Sequence, residues 1–361
     1  MLKERDYSDL LEKLVEKPGL NRRPLAGEWE LTYHCNLRCR HCYIYQDNDQ
    51  EELSYEEVTS IINQLYEEGC LNLIFTGGEP FLRRDFLDIY SYAKNRGFLI
   101  TILTNGMLLD KDTLDYLKRN PPFMIEITLH SLDKGTFENI TQTPGSFEKC
   151  MQAIKMIRER KLPLTLKTVG MSLNKNDIRQ VKDFVQSLEE VKFKFDAFIL
   201  PKRNGSHEPC RLRLLPEEIV ELVFADEEMR QQLLNCKNSK EAFERNKSFF
   251  SCSAGLTSFH INPYGQLQLC LEMREPFFDL RKGSFKKGFY EFLYQVRSKD
   301  YQPESPCKDC GAYYICGHCP ARGLAENGKM DEPVKYLCQL AKKMSFFLNK
   351  KDAEVTLVKA D

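Results

Sequence analysis

Apolar positions along this chain follow two alternating rhythms. Short runs rich in β-branched and aromatic residues, bounded by turn formers, read as strands: Trp29–Tyr33, Leu71–Phe75, Phe98–Leu103, Met124–Leu129, Leu164–Val169 and Lys194–Ile199. Between them the spacing changes to that of helices. A Ser54–Glu57 capping box precedes Val58, Ile61, Ile62 and Leu65; Ser146 precedes Phe147, Cys150, Ile154 and Ile157; Asn174 precedes Ile178, Val181, Val185 and Leu188. Alternating strands and helices imply a parallel sheet with helices on its outer face. A closed eight-unit barrel typically takes about 250 residues, and here the alternation fades near Pro201. The expected fold is therefore α/β, a partial (β/α)6 barrel of TIM type, open on one side.

Four segments follow from the pattern. Residues 1–27 are a lead-in, with Leu10, Leu11, Leu14 and Val15 on one face of a brief helix that Pro18-Gly19 stops. Residues 28–205 carry the barrel. Residues 206–249 form a helical linker, with Pro216 in a favoured first-turn position. Residues 250–361 are irregular, rich in Gly, Pro and Cys, and end in a helix; they read as a smaller domain held by metal.

Composition narrows the class. Among 361 residues, 52 basic and 53 acidic side chains nearly cancel, so no field directs the chain to nucleic acid or to an anionic membrane. The charged start lacks the apolar core of a signal peptide, and no stretch approaches the roughly 20 apolar residues of a membrane span. A cytoplasmic location is expected. Fourteen cysteines then point to metal ligation rather than disulfides. Cys70 and Cys150 read as small buried hydrophobes, and Cys210 and Cys236 stand alone.

Ten cysteines fall into patterns. Cys35, Cys39 and Cys42 form C-x3-C-x2-C just past the first strand. Three thiolates can hold three irons of a cubane cluster and leave the fourth iron open; a zinc knuckle completed by His34 or His41 is the alternative. Thr76-Gly-Gly-Glu-Pro80 follows the second strand, Thr104-Asn105-Gly106 closes the third, and Thr128-Leu-His-Ser131 closes the fourth. Far downstream, Cys252-x12-Gly265-x4-Cys270 precedes Cys307-x2-Cys310-x5-Cys316-x2-Cys319-x18-Cys338. By spacing alone, the later four-cysteine run also suits zinc.

Taken together, these motifs resemble the radical SAM superfamily, and the later cysteines resemble the SPASM extension of its peptide-modifying members. The resemblance implies a [4Fe–4S] cluster on Cys35, Cys39 and Cys42. It implies S-adenosylmethionine held by Gly77, Gly78, Glu79 and Pro80 at the methionine amino group. Thr104, Asn105, Thr128 and Ser131 would approach the methionine and ribose, and His41 the adenine. It further implies two auxiliary [4Fe–4S] clusters, one on Cys252, Cys270 and Cys319, the other on Cys307, Cys310, Cys316 and Cys338. The Cys316-x2-Cys319 spacing is one residue shorter than the family's usual one, which bears on Cys319. The first auxiliary site has an open iron or takes Cys236.

The implied activity is generation of a 5′-deoxyadenosyl radical that modifies a peptide through a thioether link, a carbon–carbon crosslink or a related oxidation. The implied partners are a peptide substrate, a flavodoxin- or ferredoxin-type electron donor and, since the lead-in is too short for a winged-helix recognition domain, a separate peptide-recognition protein. Three alternatives stand beside it. A sulfatase-type maturase would carry aspartate after the glycine-motif cysteine, where this chain has Leu271 and then Glu272. The others are a tetrapyrrole side-chain enzyme and a zinc-binding adaptor. Acid–base candidates are Glu126, His130, Asp196, His260 and Glu272.

Overall fold

The computed structural model describes residues 22–45, 50–238, 249–313 and 315–358. The helix expected around Leu10–Val15 lies outside them. Six strands, β1 (Ala26–Thr32), β2 (Asn72–Gly77), β3 (Leu99–Thr104), β4 (Met124–Thr128), β5 (Leu164–Val169) and β6 (Val191–Asp196), pair in parallel in sequence order. The sheet then continues on the other side of β1. There β7 (Ser258–Ile261) runs parallel to β1, followed by antiparallel β8 (Gln266–Gln268) and β9 (Phe278–Asp279). The order β6-β5-β4-β3-β2-β1-β7-β8-β9 is an open barrel wall rather than a closed ring.

Local rules account for the elements. The helix Tyr55–Glu67 starts with the expected capping box: Ser54 Oγ accepts from the Glu57 amide at 3.3 Å and Glu57 Oε2 from the Ser54 amide at 2.8 Å. Its buried face, Val58, Ile61, Ile62 and Leu65, joins the cluster that holds Trp29, Leu73 and Phe75. Three expectations shift. β6 begins three residues early because Val191-Lys-Phe-Lys-Phe-Asp alternates as a half-solvated edge strand does, while the more apolar Ile199 and Leu200 are buried in the loop beyond it. Ser146 is the first helical residue, not the cap; its hydroxyl meets Thr141 Oγ1 at 2.7 Å. Asn174 caps no helix. It is buried and donates to the carbonyls of His130 (2.8 Å) and Val169 (3.0 Å), tying the loops after β4 and β5.

The core runs unbroken across residue 250. Phe259, Leu267, Phe285 and Phe289 belong to the same buried cluster as Trp29, Ile102 and Leu166, so the cysteine-rich segment shares both sheet and core with the barrel. A second cluster, Ile178, Leu214, Ile219, Val220 and Met344, joins the helix Pro216–Ala225 to the C-terminal helix Lys335–Val358. Cys70 and Cys150 are buried as expected. Among the described residues, no helix is long and apolar enough to cross a membrane.

Phe75 is fully buried between sheet and helices. Phe75→Ala is expected to lower stability by about 3–5 kcal/mol, and Ser54→Ala by about 1 kcal/mol. Denaturant unfolding followed by the fluorescence of Trp29, the chain's single tryptophan, measures both.

Candidate functional site

Three strand ends are locked together at the carboxyl edge of the barrel. Gly78 donates its amide to the Thr32 carbonyl and Glu79 to that of His34, each at 2.8 Å. This approach leaves no room for side chains: a Cβ on Gly77 would stand 2.1 Å from the Thr32 carbonyl oxygen, and one on Gly78 2.2 Å from that of His34. Gly77 also has φ +131°, a backbone that favours glycine. The Glu79 carboxylate, fully buried, accepts from Thr104 Oγ1 at 2.8 and 3.0 Å, from the Asn105 amide at 2.8 Å and from the Phe81 amide at 3.2 Å. Burial pushes its carboxyl up to about 7, against the pull of those donors. Glu79 therefore fastens β2 to β3 rather than presenting a free carboxylate to a ligand.

In front of this junction lies a cavity of about 620 Å³, within the size range of cofactor sites. Its wall includes Cys35, Cys39, Cys42, His41, Gly77, Gly78, Thr104, Asn105 and Thr128. Pro80 and Ser131 are not on that wall. Pro80 is itself buried at the start of the turn Pro80–Leu82, and the Ser131 hydroxyl donates to Asp177 at 2.5 Å and accepts from the Asp133 amide at 2.9 Å. Burial raises all three thiols, Cys39 the most and Cys42 to about 11, so a bound cation is what would hold them as thiolates. The Leu37 amide points at Cys35 Sγ at 3.4 Å and Asn105 Nδ2 at 3.8 Å. Clustered thiols with N–H groups aimed at sulfur suit an iron–sulfur cluster.

The sheet's inner face is polar. On β1, Glu28 and Glu30 alternate with outward, buried Trp29 and Leu31. Glu126 pairs with Lys194, and Lys167 lies 3.3 Å from Asp196. Glu28, Glu126, His130, Lys167 and Lys202 reach the cavity. Glu30 is fully buried. It accepts from Tyr43 Oη at 2.7 Å and Tyr33 Oη at 3.0 Å, and stands 3.3 Å from His260 Nε2. Burial alone would raise this carboxyl, but His260, Arg203 and Tyr43 bring it below its ordinary value. Burial leaves Glu28 raised. The acid–base candidates thus divide: Glu126 and His130 face the cavity, His260 serves Glu30, Asp196 serves Lys167, and Glu272 is paired with Arg322 at 2.8 and 2.9 Å. Glu28, Tyr43, Lys167 and Lys202 were not singled out from sequence. Alternating acids within a buried strand were the signal for Glu28.

His41 and His130 stack edge to face at 4.8 Å, and each has a buried Nδ1 without a hydrogen-bond partner among the described residues. Burial lowers His41 to about 4 and His130 well below its usual value, so both rings are neutral near neutral pH.

The later cysteines form two groups. Cys252 precedes β7 and Cys270 follows β8, joined by a turn in which Gly265 takes φ +77°. Cys319, the N-cap of the helix Pro320–Asn327, lies close enough to both Cys252 and Cys270 to feel their charge. Cys307, Cys310, Cys316 and Cys338 influence one another in the same way. Leu271, next to Cys270, lines the main cavity. The side chain of Cys236, on the helix Glu227–Asn238, lies outside the described residues. His318, between Cys316 and Cys319, is buried, and neither ring nitrogen has a hydrogen-bond partner among the described residues.

Residues 29–185 match the Radical SAM superfamily, so this segment of the chain carries that domain. Among curated relatives, the subtilosin biosynthesis protein AlbA of Bacillus subtilis is 24% identical over 322 residues, spanning 84% of this chain and 69% of that protein. The Fe-coproporphyrin III synthase of Methanosarcina barkeri is 30% identical over 167 residues, but the match spans 45% of this chain and 41% of that one. Among solved structures, Streptococcus suis SuiB bound to its precursor peptide SuiA superposes with a TM-score of 0.67 at 17% identity, over 92% of this chain and 80% of that one.

Gly78→Ala is expected to disturb the junction enough to abolish S-adenosylmethionine binding, measured by equilibrium dialysis against reconstituted protein. His130 supplies a pH test. Its folded pKa is lowered, so below about 6.5 the unfolded chain takes up a proton the fold refuses, and stability falls with pH. His130→Phe is expected to flatten that fall by up to about 1.4 kcal/mol per pH unit, read from denaturation midpoints on either side of the imidazole range.

Proposed function

We propose that this chain is a radical SAM enzyme that modifies a peptide after its synthesis. The observation that carries the reading is the shared cavity. The Cys35–Cys42 loop and the Gly77-Gly78 junction form one part of its wall, and Leu271, directly beside Cys270 of the second cysteine group, forms another. When bound, a [4Fe–4S] cluster with one open iron supplies reductive cleavage of S-adenosylmethionine to a 5′-deoxyadenosyl radical. Cys35, Cys39 and Cys42 would hold that cluster. The glycine carbonyls, Thr104, Asn105 and Thr128 would orient the methionine and ribose, and the neutral His41 ring would flank the adenine. Glu126, Lys167 and Lys202 present charge to the polar backbone and side chains of a peptide, and the buried aromatic wall excludes water.

Likeness to AlbA and to peptide-bound SuiB, over 84% and 92% of this chain, supports a peptide. Likeness to the AdoMet-dependent heme synthase of Oleidesulfovibrio alaskensis, over 85% of this chain, makes a tetrapyrrole the second reading. A sulfatase-type oxidation is disfavoured because Leu271 faces the cavity and Glu272 is committed to Arg322. Two auxiliary [4Fe–4S] clusters on the grouped cysteines, a flavodoxin- or ferredoxin-type donor, a separate recognition protein and a cytoplasmic location complete the reading.

Anaerobically reconstituted protein is expected to bind about 12 irons per chain, four in each of three clusters, and to release 5′-deoxyadenosine when given S-adenosylmethionine and dithionite. Replacing Cys35, Cys39 and Cys42 together by Ala abolishes that product and removes a third of the iron. No 5′-deoxyadenosine from the intact protein refutes the enzyme. Zinc in place of iron on the later cysteines refutes the auxiliary clusters. A peptide encoded beside this gene gaining a mass shift in the same reaction identifies the substrate.

A further inference from the structure

Outside the cavity, the loop that leaves β6 meets the helix Pro320–Asn327. Within the loop, the turn Pro209–Leu212 carries Cys210, whose amide donates to the His207 carbonyl at 3.1 Å, so both side chains leave one side of the turn. Glu326 approaches from the helix. One ligand atom each of His207, Cys210 and Glu326 lies within 4.8 Å of the other two.

We propose that His207, Cys210 and Glu326 bind a single zinc ion, with water as the fourth ligand. The three donor types, imidazole nitrogen, thiolate sulfur and carboxylate oxygen, are those of tetrahedral zinc sites, and sulfur with nitrogen disfavours magnesium or calcium. His207 Nδ1 is 3.7 Å from Glu326 Oε2. That is too long for a hydrogen bond and close to the ~3.3–3.8 Å edges of a tetrahedron with zinc–ligand bonds near 2.0–2.3 Å. Among the described residues, Cys210 Sγ makes one weak hydrogen-bond contact, 4.0 Å to the Ile199 carbonyl. All three donor atoms already lie within 4.8 Å of one another, so side-chain adjustment alone can close the shell.

Arg213 strengthens the assignment rather than competing with it. Its guanidinium holds the other carboxylate oxygen, Glu326 Oε1, and is itself fixed by the Ile199 carbonyl at 2.6 and 2.9 Å and by the rings of Phe198 and Tyr336. This aims Oε2 at the histidine and the cysteine, as the outer partners of metal-bound carboxylates do. Half-exposed His207 leaves an open side for entry of the ion and for the water. The site joins two functional regions. The loop carries Lys202, on the cavity wall, and Arg203, whose amide donates to the Tyr43 carbonyl at 2.8 Å; the helix begins at Cys319. Zinc would clamp the cavity rim to the second cysteine group, independently of which substrate the cavity takes.

Full-length protein produced with both iron and zinc supplied, purified anaerobically and desalted, tests this by metal counts from mass spectrometry. About one zinc ion per chain is expected beside the iron, the stoichiometry of a single site. Cys210→Ser and His207→Ala each lose the zinc and keep the iron; the exposed histidine variant covers the case in which the cysteine variant does not fold. Arg213→Lys is expected to weaken zinc by about 10–100-fold in competition with a chromophoric chelator. Wild-type protein that takes up no zinc on addition of the ion overturns the proposal. So does zinc that survives in both variants, which would belong to other cysteines, or iron that falls when Cys210 is replaced.

Discussion

The mouth of this barrel depends on one close approach between backbones. Thr32 and His34, leaving β1, accept the amides of Gly78 and Glu79, leaving β2, at a separation that excludes any Cβ at Gly77 or Gly78. From that contact Glu79 reaches across and gathers Thr104 and Asn105 at the end of β3. The loop with Cys35, Cys39 and Cys42 is thus anchored at its first residues to an assembly of three strands. A catalytic loop needs such rigid support, because misplacement by about an ångström can cost a hundredfold in rate.

A second constraint comes from charge. Parallel sheets buried on both faces are ordinarily apolar throughout, yet here the inner face carries Glu28, Glu30, Glu126, Lys167, Lys194 and Asp196. Isolated ions in such a place are very costly, and pairing with hydrogen bonding only partly offsets the loss of water. Glu30 meets that cost with two tyrosines, His260 and Arg203, whereas at Glu28 burial outweighs the pull of His260 and Lys167 and raises the carboxyl. A fold carries an expense of this kind where polar groups serve a ligand, and Glu28, Glu126 and Lys167 line the cavity.

Much of this was legible in the sequence because it is local. The parallel strands, the capping box at Ser54, the three-cysteine loop and the Gly-Gly-Glu-Pro turn are each written within a dozen residues. What was not legible depends on distant partners or on orientation. A Glu after two glycines looks the same whether its carboxylate meets a ligand or, as Glu79 does, the neighbouring strand. Ser131 at a strand end reads as a ligand contact, but Asp177, far along the chain, claims its hydroxyl. β7, β8 and β9 are too short to leave a period, and the displaced β6 obeys the alternation of an edge rather than of a buried strand. The convergence of His207, Cys210 and Glu326, from a loop and a helix well separated in sequence, has no local trace.

The position of β7 has a consequence for how the chain is made. β1 is synthesised before β2 to β6, yet one of its two edges pairs with Ser258–Ile261, which is made only after all of them. Until then the nascent barrel exposes an apolar-backed strand edge, the feature most prone to mispairing between chains. Vectorial folding therefore cannot finish the N-terminal half first and append the cysteine-rich segment afterwards. The wall that carries the first cysteine loop is completed only when the residues flanked by Cys252 and Cys270 arrive, so the folding of the two regions is coupled.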